Sequence, residues 1–177
     1  KQLNINAIEL MPVMEYEGNE SWGYNTAFHM SVDKFYGPEE KLKEFIDLCH
    51  QNGIAVILDL VMNHVMGRSP MNRMWMDDPD KNGWGEPSEE NPYFNEIATH
   101  TYGLGNDFNH QSSYTQYYTQ RVIKHWIENF KIDGIRWDLT KGFTQNCNTQ
   151  DENCTNNYQQ DRVDILKSYA DYSWSLD

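Results

Sequence analysis

Apolar positions along the chain fall into short strand-like segments separated by segments with helical spacing. Ala7–Val13 and Ile132–Leu139 predict short strands, and the nearly continuous run at Ile54–Val61 predicts a strand covered on both faces. Apolar residues at offsets of three, four and seven predict a helix over Pro38–His50, and a second over Ser112–Phe130 that Ser112 would cap. The pattern therefore alternates strands with helices.

A third helix is predicted over Asp161–Leu176, with Val163, Leu166, Ala170 and Trp174 on its apolar side. Strand and helix in strict alternation indicate an α/β fold with a parallel sheet. Three strands are few for an independent parallel sheet and would leave two open edges. We therefore expect part of a larger domain, and we expect the isolated chain to self-associate or to be marginally stable.

Residues 65–111 interrupt this alternation with a long irregular segment rich in Gly, Pro, Asn and Asp. Segments of this length without regular structure are uncommon inside domains and are often functional. We refer to residues 65–111 as the insertion.

Composition narrows the class of partner. The formal net charge of -13 opposes binding to nucleic acid, whereas neutral sugars meet no such penalty. Aromatic residues make up 14% of the chain, which suits sugar stacking, although core packing explains aromatic residues more often. No apolar run reaches the length of a membrane span, and the lack of a visible signal peptide does not exclude export.

The three cysteines leave an alternative open. Cys49 has the spacing of a buried helical thiol. Cys147 and Cys154 flank a polar stretch and either close a surface disulfide or remain two unpaired thiols. A disulfide would favour an extracytoplasmic or secreted protein.

Candidate chemistry lies where the predicted strands end, and in βα folds the loops at that edge build the active site. At the end of the second strand, we expect Asp59 to be a structural carboxylate with bonded partners, and Asn63 and His64 to lie at the mouth of the site. Arg136 and Asp138 are two residues apart and share a strand face. A cation beside a carboxylate keeps it ionised, as nucleophilic attack on a sugar requires, yet an isolated Arg-x-Asp is more often a structural ion pair.

Four motifs together resemble the α-amylase family, glycoside hydrolase family 13. Asp59–His64 is similar to the family's D-V-V-x-N-H region, and Gly134–Lys141 is similar to G-F-R-x-D-x-x-K. Gly105–His110 resembles the short region late in the inserted domain B, and Trp22–Asn25 resembles the motif after the second strand. The resemblance implies a partial (β/α)8 TIM barrel: strands 2 to 4 with their helices, spanning residues 1–177, and a reduced domain B at 65–111.

The resemblance also implies roles for individual residues. Asp138 would be the nucleophile and Arg136 would hold it ionised and oriented. His64 would hydrogen-bond the sugar at the cleavage point, Tyr24 would stack on that sugar, and Lys141 would reach toward the leaving group.

Calcium is implied as a cofactor of many family members. Asn63 and Asn109 match positions that hold this ion, and amide oxygens suit a hard cation.

Two departures from the family affect the expected activity. Gly142 stands where many members have His, which puts the leaving-group subsites in doubt. The general-acid Glu and a third carboxylate belong after later strands, so we expect these 177 residues alone to be inactive.

The implied function is retaining cleavage of α-glucosidic bonds in starch-like glucans. The alternatives are a branching or transglycosylating enzyme and a non-catalytic carbohydrate-binding module.

Overall fold

A computed structural model describes residues 3–176, so residues 1, 2 and 177 of the predicted domain lie outside it. The strands are β1 (Ala7–Leu10), β2 (Met14–Tyr16), β3 (Thr26–Val32), β4 (Ala55–Leu60), β5 (His64–Val65), β6 (Met76–Asp77), β7 (Glu86–Pro87), β8 (Asn106–Asp107) and β9 (Gly134–Trp137). The helices are α1 (Glu39–Gln51), α2 (Pro70–Arg73), α3 (Ser113–Lys124), α4 (Glu152–Asn156) and α5 (Gln160–Trp174).

The centre of the molecule is a parallel sheet in the order β1-β4-β9. Its strands are the three that the apolar runs predicted, and α1 connects β1 to β4 as expected. Ile57 of β4 lies opposite both Glu9 of β1 and Gly134 of β9. Parallel neighbours in register bring their carboxyl ends to one edge, which is where the candidate residues follow. No helix among residues 3–176 is both long and apolar enough to cross a bilayer.

The predicted apolar side of α5 is confirmed in part: Leu166 packs against the core, but the last residue of that side is exposed. Trp174 is 76% exposed, whereas Tyr169 is fully buried and stacks on Trp137 at 5.6 Å between ring centroids. Helical spacing alone did not single out Tyr169, and the contact with the aromatic side chain of β9 centres the buried face on it.

An antiparallel hairpin of β2 and β3 was not predicted, because its burial runs against its hydropathy. His29 is fully buried in β3, while its neighbours Phe28 and Met30 are 38% and 39% exposed. A polar residue can occupy such a position only when it is hydrogen-bonded, and His29 is bonded at both ring nitrogens.

The second predicted helix begins as expected but is not capped as predicted. Ser112 is the N-cap residue of α3, yet its hydroxyl donates to the carbonyl of Pro92 and makes no cap bond. After α3 the helix widens into a π turn over His125–Asn129. Within that turn the buried indole of Trp126 donates to the carbonyl of His29 at 2.8 Å, which ties the helix to the hairpin.

The insertion contains short pieces of regular structure. Its two ends meet in the antiparallel pair β5–β8, where Val65 lies opposite Asn106. β6 and β7 form a second short pair, and α2 precedes them. Pairing at β5–β8 fixes the insertion to the end of β4, beside the candidate site.

The cysteine alternative is resolved in favour of the disulfide. Cys147 and Cys154 are bonded, and Cys49 is a buried free thiol as expected. Burial raises the pKa of the Cys49 thiol. The disulfide joins the loop after β9 to α4.

Candidate functional site

Arg136 links two carboxylates at the carboxyl edge of the sheet. One guanidinium nitrogen, Nη1, donates to both oxygens of Asp59 at 3.0 and 2.9 Å and to Oδ1 of Asp138 at 2.7 Å. This follows from register, because Arg136 lies directly opposite Asp59 on the neighbouring strand and Asp138 is two residues farther on. The sequence prediction that Arg136 and Asp138 lie together is therefore confirmed, and Asp59 has the bonded partners expected of it.

Tyr24 reaches the same cluster from the loop between β2 and β3. Its hydroxyl donates to Oδ2 of Asp59 at 2.8 Å. Burial and this bond to a carboxylate raise the pKa of Tyr24 to about 12, so the phenol stays protonated near neutral pH. The adjacent Trp22 is 77% exposed.

The charges of the cluster depend on burial and on hydrogen bonds. Burial raises the pKa of Asp59, and the hydrogen bonds from Tyr24 and Arg136 act in the opposite direction. Bonds to Asp138 and Asp59 raise the pKa of Arg136, so the guanidinium remains a cation. Asp138 is the more accessible of the two carboxylates, with 19% of its side chain exposed against 2% for Asp59.

The backbone turns sharply directly after Asp138. Leu139 has φ 45° and ψ 45°, the left-handed conformation, and Thr140–Phe143 then form a short 3-10 helix. This conformation costs a non-glycine residue about 1–2 kcal/mol. The turn follows the end of β9 at Trp137 and leads into the short helix that contains Lys141.

The segment that leaves β4 is held by three donors to consecutive carbonyls. His29 Nε2 donates to the carbonyl of Val61 and His110 Nε2 to that of Met62, each at 2.8 Å. The backbone N–H of Phe108 donates to the carbonyl of Asn63 at 3.1 Å. Because these carbonyls lie outside any strand ladder, the three bonds take the place of a continued sheet.

The two histidines of this segment are buried as neutral rings. His29 accepts from the hydroxyl of Tyr118 and His110 from that of Tyr169, so each ring is bonded at both nitrogens. Burial lowers the pKa of both histidines to about 4. Sequence reasoning assigned neither residue a role, although His110 closes the Gly105–His110 motif.

His64 is oriented by its own pair of bonds. Its Nε2 donates to the carbonyl of Tyr24 at 2.8 Å, and its Nδ1 accepts from the amide Nδ2 of Asn63 at 3.0 Å. Burial lowers the pKa of His64, and the nearby charge of Asp138 opposes that shift. The structure thus brings Tyr24, His64, Arg136 and Asp138 to one place.

Lys141 contacts a different group. Its ammonium donates to Oδ1 of Asn156 in α4 and lies 5.8 Å from the centroid of the Tyr102 ring. The hydroxyl of Tyr102 lies 3.0 Å from the same Oδ1 of Asn156 and 3.1 Å from Oε1 of Glu152. Lys141 therefore lies between the insertion and the disulfide-bonded segment, beside the four-residue cluster.

The two residues expected to bind calcium differ in whether their side-chain oxygen is already used by the protein. Oδ1 of Asn109 accepts from the backbone N–H groups of Gln111 and Ser112 at 3.0 and 3.2 Å, so it serves the turn before α3. Oδ1 of Asn63 is buried and has no hydrogen-bond donor among the residues described. Within residues 3–176, no group of three or more His, Cys, Asp or Glu side chains is arranged to hold a metal ion. Calcium also takes amide and backbone carbonyl oxygens as ligands, so the assignment of calcium to Asn63 and Asn109 stays a prediction.

Comparison with known proteins assigns the family. The model of the alpha amylase catalytic domain matches residues 1–94, more than half of the chain. This chain belongs to the α-amylase family. The 1,4-alpha-glucan branching enzyme GlgB of Halothermothrix orenii is 36% identical over 138 residues, covering 78% of this chain and 20% of that protein. The malto-oligosyltrehalose trehalohydrolase of Saccharolobus solfataricus is 29% identical over 147 residues, covering 82% of this chain and 24% of that protein.

Solved structures confirm the fold. Amy13B of Eubacterium rectale superposes with a TM-score of 0.72 at 22% identity, over 98% of this chain and 35% of that one. A type I pullulanase of Bacillus subtilis, complexed with maltose, gives 0.73 at 21% identity, over 99% and 23%. The chain thus has the fold of part of an α-amylase barrel, with an open sheet in the residues described, and it spans about a fifth to a quarter of the curated relatives named above.

Proposed function

We propose that the protein cleaves or transfers α-glucosidic bonds of starch-like glucans with retention of configuration, and that Asp138 is the nucleophile. The supporting observation is the single guanidinium of Arg136 that bridges Asp138 to the buried Asp59. A carboxylate held against a guanidinium cation is fixed in direction, as attack on an anomeric carbon requires.

The proposed reaction has two displacements. The Asp138 carboxylate forms a bond to the anomeric carbon while the glycosidic C–O bond breaks and the leaving oxygen gains a proton. Water or a sugar hydroxyl then displaces Asp138 and gives up its proton. We expect the general acid to be a Glu on a later barrel strand, because both oxygens of Asp59 are already bonded and retaining enzymes need two separate carboxyl groups.

Substrate contacts are proposed for the residues around Asp138. His64 is held by Tyr24 and Asn63 through both ring nitrogens, so a hydrogen bond from His64 to the sugar to be cleaved requires that one of these two bonds be exchanged. The ring of Tyr24, anchored through its hydroxyl, would stack on that sugar. Lys141 would contact the leaving-group side, together with Tyr102 and Asn156.

Transfer to a second sugar is an alternative that the relatives support. Several 1,4-alpha-glucan branching enzymes match at 34–36% identity over 78% of this chain. A branching reaction shares the Asp138 step and differs only in the group that accepts the glucosyl unit. Product analysis separates the two, because transfer forms new branch linkages without releasing reducing ends.

The decisive experiment compares the full-length protein with its Asp138→Asn variant on soluble starch and amylose. We expect the variant to lose roughly 10³-fold or more in kcat, because an amide is a poor nucleophile. Asp164→Asn is the matched control: this aspartate is exposed on α5 and bonds only the side chain of Gln160. It should retain full activity.

A trapping experiment tests the same assignment independently. An activated fluoroglucoside, which stalls at the covalent intermediate, should add one sugar to the peptide that contains Asp138. Labelling of another carboxylate would contradict the assignment. A protein that binds α-glucans without turning them over or being labelled would instead be a carbohydrate-binding module, and the 177-residue chain alone is expected to be inactive.

A further inference from the structure

Arg162, in the first turn of α5, donates hydrogen bonds to three backbone carbonyls of the segment that follows β9. Nη1 donates to the carbonyls of Lys141 and Thr155 at 3.1 and 3.0 Å, and Nη2 donates to that of Asn157 at 2.6 Å. Lys141 belongs to the 3-10 helix after the strand, whereas Thr155 and Asn157 lie at the end of α4. One guanidinium therefore joins two pieces of chain that are separated by the loop containing Cys147.

The same arrangement determines where the side chain of Lys141 ends. Its ammonium donates to Oδ1 of Asn156. The carbonyls on either side of Asn156 in the sequence, those of Thr155 and Asn157, are the ones that Arg162 binds. Lys141 is thus held at its backbone by Arg162 and at its ammonium by Asn156, and Arg162 sets the separation of these two points.

Holding three carbonyls in this way requires a guanidinium. Its N–H donors lie in one plane on separate nitrogens, so Nη1 and Nη2 serve different carbonyls at the same time. Carbonyls in the last turn of a helix have no partner within that helix, and Arg162 supplies donors at the end of α4. A lysine at this position would have a single nitrogen for all three carbonyls.

The insertion contacts α4 as well. The backbone N–H of Thr101 donates to Oγ1 of Thr155, which is fully buried, at 3.3 Å. The hydroxyl of Tyr102 lies 3.0 Å from Oδ1 of Asn156, the oxygen that also accepts from Lys141. A displacement of α4 would therefore move the contacts of Tyr102 and Lys141 together.

We infer that Arg162 is a positioning residue for the leaving-group side of the active site, acting through the backbone of Lys141 and through α4. This inference rests on the proposed function, in which Lys141 contacts the sugar that departs. Arg162 then affects the binding of sugars beyond the bond to be cleaved, and it leaves the displacement by Asp138 unaltered.

Two substrates that differ in their leaving group test this role in the full-length protein. Maltoheptaose places glucose units on the leaving-group side, whereas α-maltosyl fluoride releases only fluoride. Arg162→Lys should raise KM for maltoheptaose roughly fivefold or more, with a smaller change in kcat, because a bond to a charged donor is lost. It should leave kcat/KM for α-maltosyl fluoride unchanged, whereas a general loss of stability would affect both substrates alike.

A matched control and a double-mutant cycle locate the effect. Lys167→Met removes an exposed cation from the same helix and should alter neither substrate. Lys141→Met alone should raise KM for maltoheptaose, and adding Arg162→Lys should change it little further, because both substitutions act on the same contact. If Arg162→Lys does not fold, Arg162→Gln, which keeps a donor but loses the fork, is measured in its place.

Hydrogen exchange provides a readout that is independent of turnover. Arg162→Lys should increase exchange in residues 140–157 more than in α1. The inference is overturned if exchange there is unchanged, if KM for maltoheptaose is unchanged, if both substrates are affected equally, or if the two substitutions are additive. Turnover of α-maltosyl fluoride by the wild type shows that the proposed reaction stands, so such results count against Arg162 alone. A wild type that consumes neither substrate contradicts the proposed function, and exchange in residues 140–157 then decides whether Arg162 holds this segment.

Discussion

At the scale of single residues, the hydrogen bonds of buried histidines decide where the site residues stand. His29 and His110 each donate to a backbone carbonyl just beyond β4 and accept from a tyrosine hydroxyl. A protonated ring could no longer accept a hydrogen bond at either nitrogen, and burying its charge would cost free energy. The position of His64 therefore depends on histidines that are uncharged.

This arrangement predicts acid lability. His29 and His110 have pKa values near 4 when folded, against about 6.5 when unfolded. Between those values the unfolded chain binds more protons, so stability falls as the pH drops from about 6.5 to about 4. Each histidine contributes up to about 3 kcal/mol to that loss.

The measurement is the unfolding free energy of the full-length protein at steps across this range, beside a His110→Gln variant. Gln can still donate to the carbonyl of Met62 but does not titrate, so the variant should lose a smaller amount of stability on acidification. Asp59, whose pKa is raised, titrates in the opposite sense in both proteins and cancels in the difference. Equal slopes for both proteins would rule out the contribution of His110.

Contacts between site residues could be predicted from the sequence where the residues belong to a regular strand or helix. Arg136 and Asp138 share a strand face, so their proximity followed from a spacing of two. His100 and Asp107 lie within the irregular insertion, where no repeat indicates which side chains meet. The bond between His100 and Asp107 could therefore not be found from the sequence.

At the scale of elements, the β2–β3 hairpin shows why a strand was missed. Its pattern places a polar residue inside and apolar residues outside, and hydropathy alone cannot identify that inversion. α1 and β4 were predicted closely. α1 buries one apolar side against the core, and β4 is covered on both of its faces. The sequence pattern predicts a strand or helix well when the apolar residues of that element are the buried ones.

The disulfide between Cys147 and Cys154 acts on the α4 segment. The two cysteines are seven residues apart, and Cys154 lies in α4. The same helix contains Asn156, the hydrogen-bond partner of Lys141. Replacing both cysteines with serine should lower stability by about 2 kcal/mol. It should also raise KM for glucans more than it lowers kcat, because the support of Lys141 is loosened.

Reductant provides the control for that prediction. Reducing the wild type should reproduce the behaviour of the double variant, and the same reductant should leave the double variant unchanged. An unaltered KM in both cases would mean that α4 keeps Lys141 in place without the disulfide.

At the scale of the whole molecule, β1 and β9 are the outer strands of the parallel sheet in the residues described. A groove lined by Leu10, Val32 and Phe45 runs along the β1 side, and another lined by Ile135 and Trp174 runs along the β9 side. Unpaired strand edges beside apolar surface favour pairing with another chain.

We therefore predict that the isolated 177-residue chain self-associates or unfolds readily. Light scattering across a concentration series should show a mass that rises with concentration, or thermal scans should show a low melting temperature. A stable, monodisperse monomer would contradict the prediction. The full-length protein is the comparison, since a completed barrel has no free edges.

The pairing of Val65 with Asn106 has a further consequence for how the insertion tolerates change. Its two ends are clamped side by side, so the chain between Met66 and Gly105 is a closed loop on a fixed base. The entropic cost of closing such a loop grows only with the logarithm of its length. Segments of very different size can therefore be exchanged at this base while the backbone that presents His64 stays in place, which makes β5–β8 a natural splice point for recombining insertions between related enzymes.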